Sequence, residues 1–401
     1  MKRKFIAAAI AGLIAVPALA QTKVTISGKF AGGLESYKLS DCNKGAPLAS
    51  CDSESRVSDQ SSRIIFNVEE DLGGGLSAWG RLESRFGVEN SGSGGWNSGN
   101  GGIGLMHKQW GKFTIGHWDL HYNEFGAIES NRAGSNQTNF GDAIMSTVSS
   151  THTGGAGTEV KSIMAAGSRT PNILMWDSPN WNGFTARLAY SAGISANEGS
   201  GFNPLGTGDP GDGSAWTAAL RYKNGPWTAG ASYWDANSES SVTGARAADQ
   251  NAWRVWAGYS FAMGLKIGLG WDRSEFDNSI NGAASTVAAG STRRDAWMIP
   301  VSYSFGAHTL YAKYARAGSA SGSAIASGTG GDFKAHAWSL GYDYGFSKRT
   351  SAGVFYTQLN NNSNSAGTVG AAYDLKSGNG ATLTQRGMDV RQWYFGMTHN
   401  F

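Results

Sequence analysis

The sequence predicts an all-β chain: one sixteen-stranded antiparallel transmembrane β-barrel, crossing the bilayer with strands and not with helices. Three observations carry this expectation. Long stretches alternate apolar and polar residues with period two, as strands with one lipid-facing and one water-facing side must. Seven very short turns alternate with eight long polar loops, which separates sixteen strands. The composition joins 58 glycines to 17 Phe, 15 Trp and 14 Tyr, with only eight prolines, at a mean hydropathy of −0.31. Only every second residue of a barrel strand meets lipid, so such a chain looks hydrophilic to a sliding window.

The first twenty residues stand apart. Lys2, Arg3 and Lys4 precede an apolar run from Phe5 to Val16, then Pro17, and Ala18-Leu19-Ala20 puts small residues at both cleavage-determining positions. The pattern predicts a secretory signal peptide over 1–20, cut before Gln21, and a barrel domain over 21–401. The apolar run is too short to span a bilayer as a helix. The whole chain holds 33 basic and 30 acidic residues, and the leader holds three of the basic ones. The mature protein is therefore formally neutral, without the basic surplus that nucleic-acid binding requires.

The elements follow in order. Short turns are read at 69–76 (EEDLGGGL), 109–113 (QWGKF), 178–184 (SPNWNGF), 223–227 (KNGPW), 260–266 (SFAMGLK), 305–308 (FGAH) and 345–350 (GFSKRT). Asn-Gly, Gly-Gly and Gly-Pro supply the backbone angles of tight hairpins. Long loops rich in Gly, Ser, Asn and Thr fall near 38–60, 87–102, 119–171, 191–213, 236–249, 275–292, 316–334 and 359–389. The two cysteines, Cys42 and Cys51, lie in the first of these, and an exported compartment favours a disulfide between them as a local staple. They form no metal-binding cluster.

Faces are assigned by parity. Trp338, Leu340, Tyr342, Tyr344 and Phe346 share one side of a strand; so do Phe184, Ala186, Leu188 and Tyr190, then Leu265, Ile267, Leu269 and Trp271, then Trp297, Ile299, Val301, Tyr303 and Phe305. Charged residues fall on the other parity. A soluble sandwich would alternate too, but the aromatics gather near strand ends, as interfacial girdles require. Strands near 103–110 and 348–358 do not assign cleanly. Pro300 removes a ladder donor inside its strand and predicts a local irregularity.

The stretch 116–129, GHWDLHYNEFGAIE, concentrates two histidines and three carboxylates. A metal site at His117 and His121 would need both imidazoles on one face and a third ligand, whereas this is a strand-to-loop junction. A catalytic pair from Glu124 and Glu129 would need a fixed separation and a cleft, and a hydrolase would need a positioned Ser–His pair; the sequence offers neither. The Gly-rich runs at 92–100 and 328–332 lack the strand-to-helix context of a phosphate loop. No cofactor, no metal and no enzymatic activity are expected.

The last strand, RQWYFGMTHNF, resembles the C-terminal strand of Gram-negative outer-membrane porins, in which a terminal Phe, here Phe401, is part of the barrel-assembly signal. The chain resembles neisserial-type (betaproteobacterial) general porins in particular: Gly396, His399 and Phe401 match their typical ending. SSRIIFNVEEDLGGGLSAWGRLES (61–84), NILMWDSPNWNGFTARLAYS (172–191) and YDYGFSKRTSAGVFY (342–356) are similar to three of the family's hairpins. Asn123-Glu124-Phe125-Gly126 is similar to the Pro-Glu-Phe-Gly stretch on the third loop of enterobacterial porins. His117 stands where the neisserial-type pattern has Arg, so the field at that edge is expected to depend on pH.

The resemblance implies a homotrimeric diffusion channel of the outer membrane, with short periplasmic turns, long extracellular loops and a third loop, 119–171, folded inward as a constriction. Its implied partners are outer-membrane lipid and lipopolysaccharide, the barrel-assembly machinery, and small hydrophilic solutes and anions. By parity Lys29, Arg63, Arg81, Arg85, Arg187, Arg221, Arg254, Arg294 and Lys313 point to the lumen. The resemblance narrows the wall opposite the third loop to Lys29, Arg63, Arg81, Arg85 and Arg187. Asp119, Glu124, Glu129 and Asp142 are the expected loop carboxylates facing it. Basic lumen residues outnumber acidic ones, which predicts mild anion preference. Two alternatives stay open: a substrate-specific channel, in which Trp79, Trp118 or Trp256 stacks on a solute, and an adhesin displayed on a barrel.

Overall fold

The computed structural model of the protein describes residues 22–42, 51–89, 95–129, 144–145, 170–192, 214–239, 246–278, 290–323, 330–363, 373, 375–377, 380–381 and 387–401. The leader and Asp142 lie outside the described residues. The strands are β1 (Lys23–Ser40), β2 (Ser53–Asp59 and Arg63–Gly73), β3 (Leu76–Arg85), β4 (Gly101–His107), β5 (Gly111–Trp118), β6 (Thr170–Asp177), β7 (Phe184–Ser191) and β8 (Ser214–Asn224). They continue as β9 (Trp227–Glu239), β10 (Arg246–Ser260), β11 (Leu265–Asn278), β12 (Gly290–Phe305), β13 (His308–Ala317), β14 (Ala335–Gly345), β15 (Thr350–Asn361) and β16 (Asp389–Asn400).

Each strand pairs antiparallel with the next, and β16 returns to β1 in register from Lys29↔Asn400 to Ser40↔Asp389. Phe401 extends the seam: its N–H donates to Gly28 O and its carbonyl accepts from Gly28 N, both at 3.1 Å. The sheet is thus a closed sixteen-stranded barrel with no unpaired edge to leave in lipid. β2 is a single wall position made of two ladder segments. Gly32 pairs with Asp59 and Lys29 with Arg63, so Phe30 and Ala31 face three residues, Gln60 to Ser62. The extra residue is absorbed where Ser61 takes φ 64°, with Ser62 N donating to Asp59 Oδ2 at 3.0 Å and Ala31 N to Ser62 Oγ at 3.0 Å. This bulge sets which β2 residues face the lumen beside Lys29.

The first long loop is shorter than the 38–60 expected from its polar composition, because β1 runs to Ser40 and Ser53–Asp59 pairs with it. Cys42 and Cys51 are joined in a disulfide with their Cα atoms 5.6 Å apart. At Pro300 the β11–β12 ladder skips Gly268 and Leu269 opposite Ile299 and Pro300, then resumes in the same register. The missing donor therefore costs local pairing and not alignment.

The outward rows expose Leu34, Ile115, Leu188, Leu269, Leu340 and Phe395, among others, the lipid-facing half of the period-two pattern. The inward rows are small in the part of the wall that loops cover. Ala296, Ala315, Ala317, Ala335 and Ala337 are buried with Phe125, Ile128, Ile144 and Met145 of the third loop and Tyr373 and Leu375 of the eighth. Alanine there leaves the lumen wide enough to admit folded loops.

Candidate functional site

The third loop leaves β5 at Trp118 and turns inward at once. Asp119 N donates to Asn100 Oδ1 at 2.8 Å, and His121–Ala127 forms a 3-10 helix against the inner faces of β9 and β10. Its apolar side chains are buried: Leu120 joins Ile173, Met175 and Trp234, and Phe125 meets Trp256 edge-on at 6.3 Å. Ile128 covers Gly258 and Gly268. A Cβ on Gly268 would lie 2.8 Å from Ile128 Cβ and 3.0 Å from Pro300 Cγ, so the loop seats here only over glycine. Burial of each such side chain contributes about 1.5–3 kcal/mol.

Cations on the wall beneath the loop hold its polar groups. Arg254 on β10, 1% exposed, donates to His121 O at 3.0 Å, Met145 O at 3.3 Å and Asp272 Oδ2 at 2.9 Å, with its guanidinium 4.7 Å from the Phe125 ring centre. Arg294 Nη2 lies 3.9 Å from Asp272 Oδ1, and Arg294 Nη1 donates to the Tyr373 hydroxyl of the eighth loop. Arg221 grips the Glu124 carboxylate with two donors, Nε at 2.7 Å and Nη2. Lys266 donates to Ala127 O and Glu129 O at 3.3 and 3.0 Å, and Lys313 pairs with the Glu129 carboxylate. His121 is fully buried with Nδ1 2.6 Å from Ser232 Oγ. Burial first, and then the Arg254 charge, hold it neutral, well below the usual value near 6.5.

A second cationic group stands on β2 and β3. Glu83, 1% exposed, accepts from Arg81 Nη2 at 2.8 Å, Arg85 Nε at 3.0 Å and Arg63 Nη1 at 3.2 Å. Lys29 pairs across the ladder with Arg63. Arg85 Nη2 reaches to 3.8 Å from Asp119 Oδ2. Arg187 on β7 donates to Asp177 Oδ1 and Oδ2 at 2.7 and 3.1 Å and to Asp119 O at 3.4 Å.

The described loop residues thus meet two different walls. Asp119 lies between Arg85 and Arg187. Glu124 and Glu129 instead engage Arg221 on β8 and Lys313 on β13, and not Lys29, Arg63, Arg81, Arg85 or Arg187. His117 is half-buried, with Nε2 3.1 Å from Asn97 O; among the described residues no arginine contact joins it to this set. His117 and His121 hold separate partners, and among the described residues no group of three or more His, Cys, Asp or Glu is arranged to hold a metal. Trp256 is buried beneath the loop. Parity had already marked Arg221, Arg254 and Lys313 as lumen-facing. Glu83 and Asp177, which organise the arginines, share that inward parity and were legible by the same rule.

The chain matches the Gram-negative porin family over residues 7–365. It is 28% identical over 388 residues to an outer membrane porin protein of Bordetella pertussis, covering 87% of this chain and 92% of that one. It is 32% identical over 128 residues to the major outer membrane protein P.IB of Neisseria meningitidis serogroup B, covering 32% and 37% of the two chains. Among solved structures, the anion-selective porin from Comamonas acidovorans superposes with a TM-score of 0.65 at 22% identity, over 95% of this chain and 100% of that one. The chain therefore belongs to the Gram-negative porins, and its closed barrel forms an outer-membrane channel for passive diffusion.

Proposed function

We propose that this channel is a homotrimer with mild anion preference, passing small hydrophilic solutes through an eyelet between the docked third loop and the β2–β3 wall. The observation that carries the preference is the sharing of one carboxylate by three guanidinium groups: Arg63, Arg81 and Arg85 all donate to Glu83. Glu124 and Glu129 are neutralised by Arg221 and Lys313, so they oppose this excess weakly. A net positive, low-dielectric constriction raises the local anion concentration. The anion-selective Comamonas acidovorans porin is a precedent on the same fold.

The same reading assigns residues 1–20 to a cleaved leader and Phe401 to recognition by the barrel-assembly machinery, with lipid and lipopolysaccharide around the finished barrel. Planar-bilayer recording tests the core of it. Triplet conductance steps are expected for a trimer, with a reversal potential of anion-preferring sign in a KCl gradient, reduced by Arg63→Ala plus Arg187→Ala. Cation preference in the wild type, or a reversal potential unmoved in the double variant, rejects the arginine wall as the selectivity element.

A further inference from the structure

The geometry points to a binding site for planar aromatic monocarboxylates on the lumen wall of β3–β5, built from Trp118, Trp79 and Lys112 and bordered by Arg81. It rests on the proposed anion preference and names a solute class for it. Trp79 and Trp118 meet edge-on, with centroids 6.2 Å apart and planes at 90°. Trp79 Nε1 donates to Phe113 O at 3.1 Å. Its indole fits there because residue 104 is glycine: a Cβ would stand 3.1 Å from Trp79 Nε1 and 1.8 Å from Phe113 O.

The cations complete the site. Lys112 Nζ lies 3.4 Å from the Trp79 ring centre and 5.5 Å from that of Trp118, and Arg81 Cζ lies 5.5 Å from the Trp118 ring centre. Arg81 already donates to Glu83. Lys112 makes no hydrogen bond or ion pair among the described residues; Asp177 and Glu69 act on it only at longer range. One ammonium seated on aromatic faces suits one negative charge, and a dianion would need a second cation not already held by a carboxylate. The half-buried Trp118 adds a π surface for a ring attached to that charge. Because Trp118 directly precedes Asp119 and the docked helix, a passing solute meets this platform at the eyelet. Binding that still permits release must be weak.

The test uses the purified full chain in planar bilayers, with KCl currents titrated by sodium benzoate, cyclohexanecarboxylate and acetate. Benzoate is expected to reduce the current saturably, half-acting at a concentration about five-fold below that of either other acid, the ratio one aromatic contact supplies. Trp118→Leu and Lys112→Gln are each expected to raise the benzoate value toward that of acetate. Equal half-block by the three acids in the wild type overturns the site, and that comparison needs no variant to fold. The KCl reversal potential of the same channels, read before any acid is added, tests the general anion preference separately. Anion preference without benzoate discrimination rejects only the aromatic site, whereas cation preference overturns the general reading and, with it, the site that rests on it.

Discussion

Replacing Arg254 by Met should release the third loop while leaving the barrel assembled. Two losses add. On the wall, Asp272 is fully buried and, among the described residues, keeps Ser274 Oγ at 2.6 Å and Arg294 at 3.9 Å. Removing one partner of a buried pair costs about 3–5 kcal/mol, and Arg294 keeps this near the lower end. On the loop, the bonds to His121 O and Met145 O disappear, each worth about 1.5–3 kcal/mol for a charged donor. A docking loss of about 3 kcal/mol multiplies the undocked population roughly a hundred-fold. Bilayer recordings should then show larger and noisier unit currents, and liposome swelling should admit larger sugars. Adding Asp272→Asn removes the stranded charge, so thermal stability should return while the loop defect persists. An Arg254→Met channel that folds and shows wild-type conductance, noise and size limit would refute the claim that Arg254 tethers the loop.

Three further outcomes follow from the same geometry. Glu124→Gln frees the Arg221 charge: at about 8 Å in a water-like dielectric this is worth ~0.5 kcal/mol, roughly a two-fold rise in local anion concentration, and the KCl reversal potential should move further toward anion preference. His121 is neutral when docked and ordinary when released, so docking strengthens above pH ~6.5 and weakens below it by up to about 1.4 kcal/mol per pH unit. Channel noise, or hydrogen exchange of 121–128 divided by the intrinsic chemical rate at each pH, should therefore increase from pH 7.5 to 5.5 in the wild type, and markedly less in His121→Gln. Deleting Phe401 removes both seam hydrogen bonds to Gly28 and the ring stacked on Phe30 at 5.4 Å. Outer-membrane yield should fall sharply while detergent refolding in vitro falls less, and equal losses in both would assign Phe401 to stability alone.

Alternation and turn chemistry are local properties, so the strand count, the outward rows and the lumen parity of the arginines were readable from the chain. The terminal strand and three hairpins pointed to the family for the same reason, since each is a short contiguous pattern. Even Pro300 was legible, because a missing donor is a property of one residue. The one-residue bulge at 60–62 was not, since it exists only where β2 meets β1.

Which charge meets which carboxylate was a tertiary decision. Glu124 and Arg221 are 97 residues apart, and nothing near either names the other. The pairing depends on how deeply the third loop seats, which Gly258, Gly268 and the alanine-lined wall decide. The stretch GHWDLHYNEFGAIE showed by itself a dense set of polar groups at a strand exit. Only docking assigned them, with His121 buried and neutral against Ser232 and Arg254, Glu124 neutralised by Arg221, and Asp119 left between Arg85 and Arg187. The physical reason is range: backbone periodicity acts within a strand, whereas desolvation and ion pairing act between segments that only the closed barrel brings together.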